Sequence, residues 1–117
     1  HAQIRNGALN TIVNIFVVLV KVNSLEVTIR GGQEWFNETL LPLLIEDIKN
    51  CDCIHNACLS SKCLGILLSN SEVFRAYAKE YGVDLLSVLE EAVARGAGLH
   101  QNLYSEAQST LNALQCQ

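Results

Sequence analysis

The segment Ser60-Ser-Lys-Cys-Leu64-Gly-Ile-Leu67 decides the predicted fold, because its pattern occurs three times in the chain. A small residue comes first, and an Ile or Leu follows at the fifth and eighth positions. The same pattern starts 52 residues earlier, at Ala8, and 47 residues later, at Ala107. In a helix these three positions share one face, where the small residue lets a neighbouring helix approach closely. The spacing between the copies is typical of stacked helical repeats.

The composition predicts one globular domain made of helices. A chain of 117 residues suits a single domain, and 50% of its residues are hydrophobic against 17% charged. Long stretches rich in Leu, Ala, Glu and Val with a single proline favour helices over strands. The net charge is −4, and no two of the eight Lys and Arg residues are adjacent. This pattern argues against nucleic-acid binding and against a basic helix that lies on a membrane.

Turn-forming residues divide the first half of the chain into predicted helices. The first covers about residues 5–20, and Asn23-Ser24 ends it and can cap the next element. That element, a short helix or an irregular connection, stops at Gly31-Gly32, the clearest breaker. A longer helix is predicted at residues 34–49, where Pro42 removes one backbone hydrogen bond. We therefore expect a kink or a helix start near Pro42.

The second half is predicted to continue the alternation of helices and breaks. One helix covers residues 54–68. Ser71 caps the next helix, which should stop at Gly82. Asp84 caps a further helix, which should end near Gly98, and the last helix covers about residues 102–114.

Three segments of the second half carry a resemblance to the armadillo-repeat family. They are Glu72-Val-Phe-Arg-Ala-Tyr-Ala-Lys-Glu-Tyr-Gly82, Val83-Asp-Leu-Leu-Ser-Val-Leu89 and Ser105-Glu-Ala-Gln-Ser-Thr-Leu-Asn-Ala-Leu114. They resemble the family's short first helix closed by glycine, its LL-x-x-L second helix and its A-x-x-x-L-x-x-L third helix. Gly32, Leu40-Leu-Pro-Leu-Leu44 and the segment at Ser60 resemble a second copy.

The resemblance implies an all-α, right-handed solenoid of armadillo-like three-helix repeats. The single domain 1–117 would hold a leading helix at 1–22, one repeat at 23–69 and another at 70–117. The leading helix would be the third helix of a repeat that begins before His1. A HEAT-like or unrelated helical fold is the alternative.

Such a fold implies a non-catalytic scaffold or adaptor that binds a protein or peptide on the concave surface of its third helices. We expect it to act inside the cell, in the cytoplasm or nucleus. The polar candidates for that surface are Asn10, Asn14, Lys21, Lys62, Gln108 and Asn112. The alternative is that these six residues are ordinary solvated positions. Nuclear-import proteins of the family bind import signals with Trp and Asn pairs on their third helices. Trp35, the only tryptophan, falls on a predicted second helix, so recognition of import signals is not expected.

The sharpest chemical cluster contains cysteines and a histidine. Cys51, Cys53, His55 and Cys58 could converge on zinc, which favours sulfur and imidazole ligands. Their spacing matches no common zinc signature, and a turn with buried thiols is the favoured explanation. The odd number of cysteines, five, argues against a disulfide scaffold. We therefore predict no cofactor and a reducing compartment.

Two other functional classes stay open. One is a secreted, cytokine-like helical bundle with paired cysteines and a glycan at Asn37, which begins an Asn-Glu-Thr sequon. The other is a small zinc-binding regulatory domain. An enzyme is not expected, because the three histidines are scattered and no Gly-x-Ser-x-Gly motif is present.

The most hydrophobic run extends from Ile12 to Val20 and is interrupted by Asn14. It is shorter than the roughly 20 apolar residues that span a bilayer. We therefore expect no membrane partner. Terminal units of helical arrays expose apolar faces, so this helix is expected to pack on upstream sequence or to self-associate.

Overall fold

The computed structural model describes residues 2–50 and 53–115, and within them it does not describe the side chains of residues 2, 81–83 and 97–99. The described part is helical almost throughout and contains no strand, which confirms the all-α class. Its helices are α1 (Ala2–Lys21), α2 (Leu25–Gly31), α3 (Gln33–Trp35), a π-helical turn (Phe36–Leu40), α4 (Leu41–Asn50), α5 (Ile54–Asn70), α6 (Glu72–Leu99) and α7 (Gln101–Gln115).

The predicted break after the first helix is confirmed and has a specific geometry. Asn23 has a positive φ of 58°, a conformation that asparagine adopts more readily than most residues. The N–H of Ser24 donates to Leu19 O at 2.8 Å, and the N–H of Asn23 donates to Val20 O at 3.1 Å. These two bonds form a Schellman motif, which satisfies carbonyls at the end of α1.

The predicted effect of Pro42 is also confirmed. Pro42 occupies the second position of α4, and the π-helical turn precedes that helix directly. Because proline has no N–H, the regular α-helical bonding pattern fails at this point. A π-type turn inserts an extra residue into the helix and can absorb such a defect.

The predicted stop at Gly82 and the predicted cap at Asp84 are wrong, because α6 is one helix of 28 residues. The buried residues on its core-facing side are Phe74, Ala78, Leu85, Val88, Leu89 and Ala92. Their spacing by three, four and seven keeps one helical face in register across Gly82. A glycine inside a helix costs about 1 kcal/mol, which is less than the burial of these side chains contributes.

Helix α5 lies between α1 and α7. Asn6 Nδ2 of α1 donates to Asn56 Oδ1 of α5 at 3.0 Å. On the other side, Thr110 Oγ1 of α7 donates to the carbonyl oxygen of Ser61 at 2.6 Å. Helices α4 and α6 also pack against α5, and this position explains why α5 supplies so many core residues.

The three copies of the sequence pattern are not buried alike. In α5 the residues Ser60, Leu64 and Leu67 are fully buried. In α7 Ala107 and Leu111 are buried as well. In α1, by contrast, Ala8 and Ile15 are exposed and Ile12 is half-buried, while Leu9, Val13 and Phe16 face the core. Within the described residues, this face of α1 therefore has no neighbouring helix, unlike the corresponding faces of α5 and α7.

Polar contacts between distant helices join residues that are separated by similar distances along the chain. Arg95 of α6 donates to Ile48 O and Lys49 O at the end of α4, at separations of 47 and 46 residues. Glu26 of α2 accepts from Ser71 and from the N–H of Glu72, at separations of 45 and 46. The contacts of α5 with α1 and α7 described above span 50 and 49 residues, and the bond from Arg5 of α1 to Asp47 of α4 spans 42.

Glu26 acts as a second cap for α6. Its carboxylate accepts from Ser71 Oγ at 2.5 Å and from the N–H of Glu72 at 2.8 Å, while Ser71 Oγ itself accepts from the N–H of Phe74. Burial alone raises the pKa of Glu26. The hydrogen bonds from Ser71, Glu72 and Val73, together with the charge of Arg30, outweigh burial, so the pKa of Glu26 is lowered from its ordinary value.

We expect Glu26→Gln to lower the free energy of unfolding at pH 7 by about 0.5 kcal/mol, because the amide keeps an acceptor but loses the charge at a helix N-terminus. A carboxylate with a lowered pKa stabilises the fold above its unfolded pKa, and this stabilisation disappears as pH falls through its folded pKa. Urea unfolding of both proteins should therefore differ at pH 7 and converge at acidic pH. Glu90→Gln, at an exposed position of α6, is the control and should show a smaller difference at both pH values.

Candidate functional site

A cleft opens where the end of α5 meets the first turns of α6 and the end of α7. Its volume is about 760 Å³. The residues that line it are Leu68, Ser69, Glu72, Arg75, Ala76, Lys79 and Ala113. Helix α6 contributes four of them because positions 72, 75, 76 and 79 lie on one face of a helix.

A smaller channel of about 290 Å³ lies next to this cleft, between α5 and α7. Its lining residues are Lys62, Gly65, Ile66, Ser69, Asn70, Glu106, Ser109 and Thr110. Ser69 lines both the cleft and the channel. We call the two together the α5–α7 groove.

Close packing of α5 and α7 sets the floor of the α5–α7 groove. A Cβ atom at Gly65 would come within 2.9 Å of Thr110 Oγ1. Thr110 cannot move away freely, because its hydroxyl is bonded to the buried carbonyl of Ser61. Glycine at position 65 therefore keeps the two helices in contact along the channel.

The start of α6 fixes the charged side of the cleft. Ser71 accepts a hydrogen bond from the N–H of Phe74 at 2.9 Å, as an N-cap residue does. Arg75 then reaches back and donates to Leu68 O at 2.8 Å, which satisfies a carbonyl at the end of α5. The Arg75 guanidinium is thus held at the cleft, whereas Lys79 is exposed to solvent.

The charge of the α5–α7 groove differs from that of the chain. Three cationic side chains and two carboxylates line it, although the whole chain carries a net charge of −4. The cleft also contains the small apolar side chains of Ala76 and Ala113. Its lining residues include hydroxyl groups but no histidine or cysteine. This mixture of small apolar surface and positive charge suits the binding of a polypeptide that carries carboxylates.

The six predicted binding residues do not converge on one site. Lys62 is the member that lines the α5–α7 groove. Asn10, Asn14 and Lys21 are exposed on α1. Gln108 Nε2 donates to Asn112 Oδ1 at 2.9 Å on α7, and neither residue lines the groove.

Sequence reasoning missed the cluster of Ser69, Glu72, Arg75 and Lys79. The sequence pattern places Ser69 in a capping turn and the three charged residues in a segment that resembles a first helix, with no indication of a shared site. The spacing of Arg75 and Lys79 could have indicated a shared site, because residues four apart lie on one helical face.

The predicted metal-binding candidates give no metal centre in the described part of the chain. Cys51 lies outside the described residues. Cys53 directly precedes α5, His55 is exposed and Cys58 is half-buried. Among residues 2–50 and 53–115, no group of three or more potential ligands lies close enough to hold a metal ion.

The two described histidines near this region have structural contacts. The rings of His55 and His100 lie 6.4 Å apart, edge to face. His100 Nδ1 accepts a hydrogen bond from the N–H of Leu103 at 3.2 Å and so caps α7. Nearby on α5, burial raises the pKa of Cys63 to about 12, which keeps this thiol protonated and unreactive.

No protein-family model matches the chain, and neither a curated protein nor a solved structure matches it significantly. Its function is therefore inferred from the geometry of the chain itself.

Proposed function

We propose that this chain is a non-catalytic interaction scaffold with an armadillo-like arrangement of helices, and that it binds a segment of a partner protein in the α5–α7 groove. The observation that carries the proposal is the similar separation, 42 to 50 residues, of the polar contacts that join helices distant along the chain. In stacked repeats each unit contacts its neighbour, so contacts recur at about one repeat length.

The contacting helices correspond to one another under the proposed repeats 23–69 and 70–117. Helix α2 contacts the start of α6 through Glu26, and α4 contacts the end of α6 through Arg95. Helix α5 contacts α7 through Thr110. First, second and third helices of the two repeats would thus each pack on their counterparts. The first and second helices of repeat 70–117 are joined into α6.

In the proposed arrangement α1, α5 and α7 would serve side by side as third helices, and their exposed surface would bind the partner. The α5–α7 groove lies between two of them and carries Lys62 in the channel and Arg75 and Lys79 in the cleft. We therefore propose a partner segment that places an acidic side chain near Lys79 and small apolar side chains against Ala76.

Site-specific photo-crosslinking tests this proposal. A photo-reactive amino acid at Ser69, which lines both parts of the groove, should capture a partner from cell extract that the same probe at Glu90 does not capture. Lys79→Glu should then weaken binding of that purified partner about fivefold or more, because it reverses a charge at the rim. Glu90→Lys is the control for a change of charge and should have little effect. A partner captured equally from both positions, or bound equally by Lys79→Glu, would contradict groove binding.

A further inference from the structure

Helix α1 carries a row of exposed, mostly apolar residues on the side that faces away from the core. The row, which we call the α1 stripe, consists of Ile4, Ala8, Thr11, Ile15, Val18 and Val22. Its four large side chains are 74%, 50%, 56% and 60% exposed. These are unusually high values for so many aliphatic residues on one helical face.

The corresponding face of α5 is covered by another helix. Moving 52 residues along the chain, the offset between the first two copies of the pattern, leads from Ile4, Ala8, Thr11 and Ile15 to Asn56, Ser60, Cys63 and Leu67, which are all buried. Val18 corresponds to Asn70, which is exposed. Ser60 Oγ donates to Asp47 Oδ2 of α4 at 3.1 Å, so another helix covers this face of α5. Within the described residues, no helix covers the same face of α1.

We propose that a second copy of this chain covers the α1 stripe, so that two α1 helices pack together in a symmetric dimer. Alternating steps of four and three residues along the stripe give the seam of a two-helix coiled coil. The paired stripes would bury on the order of 1,000 Å², which is close to the lower limit for a specific interface. This area predicts a weak dimer with a dissociation constant on the order of 10 µM. The inference does not depend on the α5–α7 groove.

Side-chain size favours an antiparallel pair. A two-fold axis between Thr11 and Ile15 places Ile4 opposite Val22 and the small Ala8 opposite the larger Val18. A parallel pair would place Ala8 against Ala8 and Val18 against Val18, so that small residues would meet at one level and larger ones at another.

A lipid bilayer is one competing occupant, besides the upstream sequence considered above. By length and composition, Gln3–Lys21 is apolar enough to cross a membrane, and 17% of this window is buried. Asn10 and Asn14, however, lie exposed in the middle of α1, and Arg5 of the same helix is paired with Asp47 of α4. Crossing a bilayer would leave both amides in hydrocarbon and break this ion pair, so we favour the protein partner.

Sedimentation equilibrium of the 117-residue chain at about 100 µM should give the mass of a dimer. Ile15→Glu, in the centre of the stripe, should weaken association at least tenfold. Asn10→Glu adds the same charge at an exposed position of α1 that lies farther from the stripe, and it should leave the dimer intact. Both positions are exposed, so unfolding in urea should show similar stability for both monomers.

Crosslinking between copies tests the orientation. With one copy isotope-labelled, a photo-reactive residue at Ala8 should attach to the peptide of the other copy that contains Val18. Attachment to the region of Ala8 would overturn the antiparallel arrangement. A monomer at this concentration, or a dimer that survives Ile15→Glu, would overturn the proposal. Binding to vesicles of phosphatidylcholine and phosphatidylserine without dimer formation would overturn it in favour of a membrane.

Discussion

Gly96→Ala should destabilise the fold by about 2–3 kcal/mol, although alanine is the better helix former. In an exposed helix this change would contribute about 1 kcal/mol of stability. At Gly96, however, a Cβ atom would lie 2.5 Å from the backbone nitrogen and 2.8 Å from the Cα of Tyr104. Backbone atoms cannot rotate away, so the end of α6 and the start of α7 would have to separate. Overpacking of this kind commonly costs 1–3 kcal/mol.

Gly7→Ala is the matched control for this prediction. Gly7 also lies within a helix, and a Cβ atom there would meet nothing within 4 Å. This change should stabilise the protein by up to about 1 kcal/mol, because only helix propensity changes. Urea unfolding followed by circular dichroism gives both differences. If Gly96→Ala proved as stabilising as Gly7→Ala, α6 and α7 could not approach each other as closely as the structure shows.

The ends of most helices could be predicted from local chemistry. The positive φ of Asn23, the break at Gly32 and the cap of Ser71 all depend on residues within one helical turn. Each of these positions combines a residue type and a backbone geometry that favour a helix end. Sequence therefore predicted them correctly.

The continuity of α6 could not be predicted in the same way. Gly82 followed by Asp84 satisfies the local rules for a helix stop and a new cap, yet the helix continues. Burial of Leu85 and Leu89 on the same helical face as Phe74 favours a continuous helix over a break at Gly82. This burial depends on the helices that pack against α6, and the local sequence around Gly82 does not show them.

The candidate sites were predicted only in part for a related reason. Lys62 was identified because it is a polar residue on a predicted third helix, and it does line the α5–α7 groove. Arg75 and Lys79 belong to the other side of the cleft, and they meet α5 and α7 only after the chain has folded back on itself. The apolar run at α1 was recognised, but its exposed side could not be assigned, since Val13 and Ile15 are equally apolar. Packing buries Val13 and leaves Ile15 exposed.

Leu64→Ala should destabilise the fold by about 3–5 kcal/mol, the largest loss that we expect from a single change. Leu64 lies at the middle of the pattern in α5 and is fully buried. Truncation removes buried hydrophobic surface and leaves a cavity that the surrounding helices fill only partly. A domain of this length is commonly stable by about 6–17 kcal/mol, so the change should remove a large fraction of its stability.

Truncation to alanine at the corresponding position of α1 tests whether α5 is packed more tightly than α1. Ile12 occupies the place of Leu64 in the first copy of the pattern, but it is only half-buried. Ile12→Ala should therefore cost about 1–2 kcal/mol, since solvent already reaches part of the side chain and a smaller cavity forms. Urea unfolding of both variants, measured at a concentration where the chain is monomeric, separates the two cases. Equal losses would mean that α1 is packed as tightly as α5, which would contradict both the central position of α5 and the uncovered face of α1.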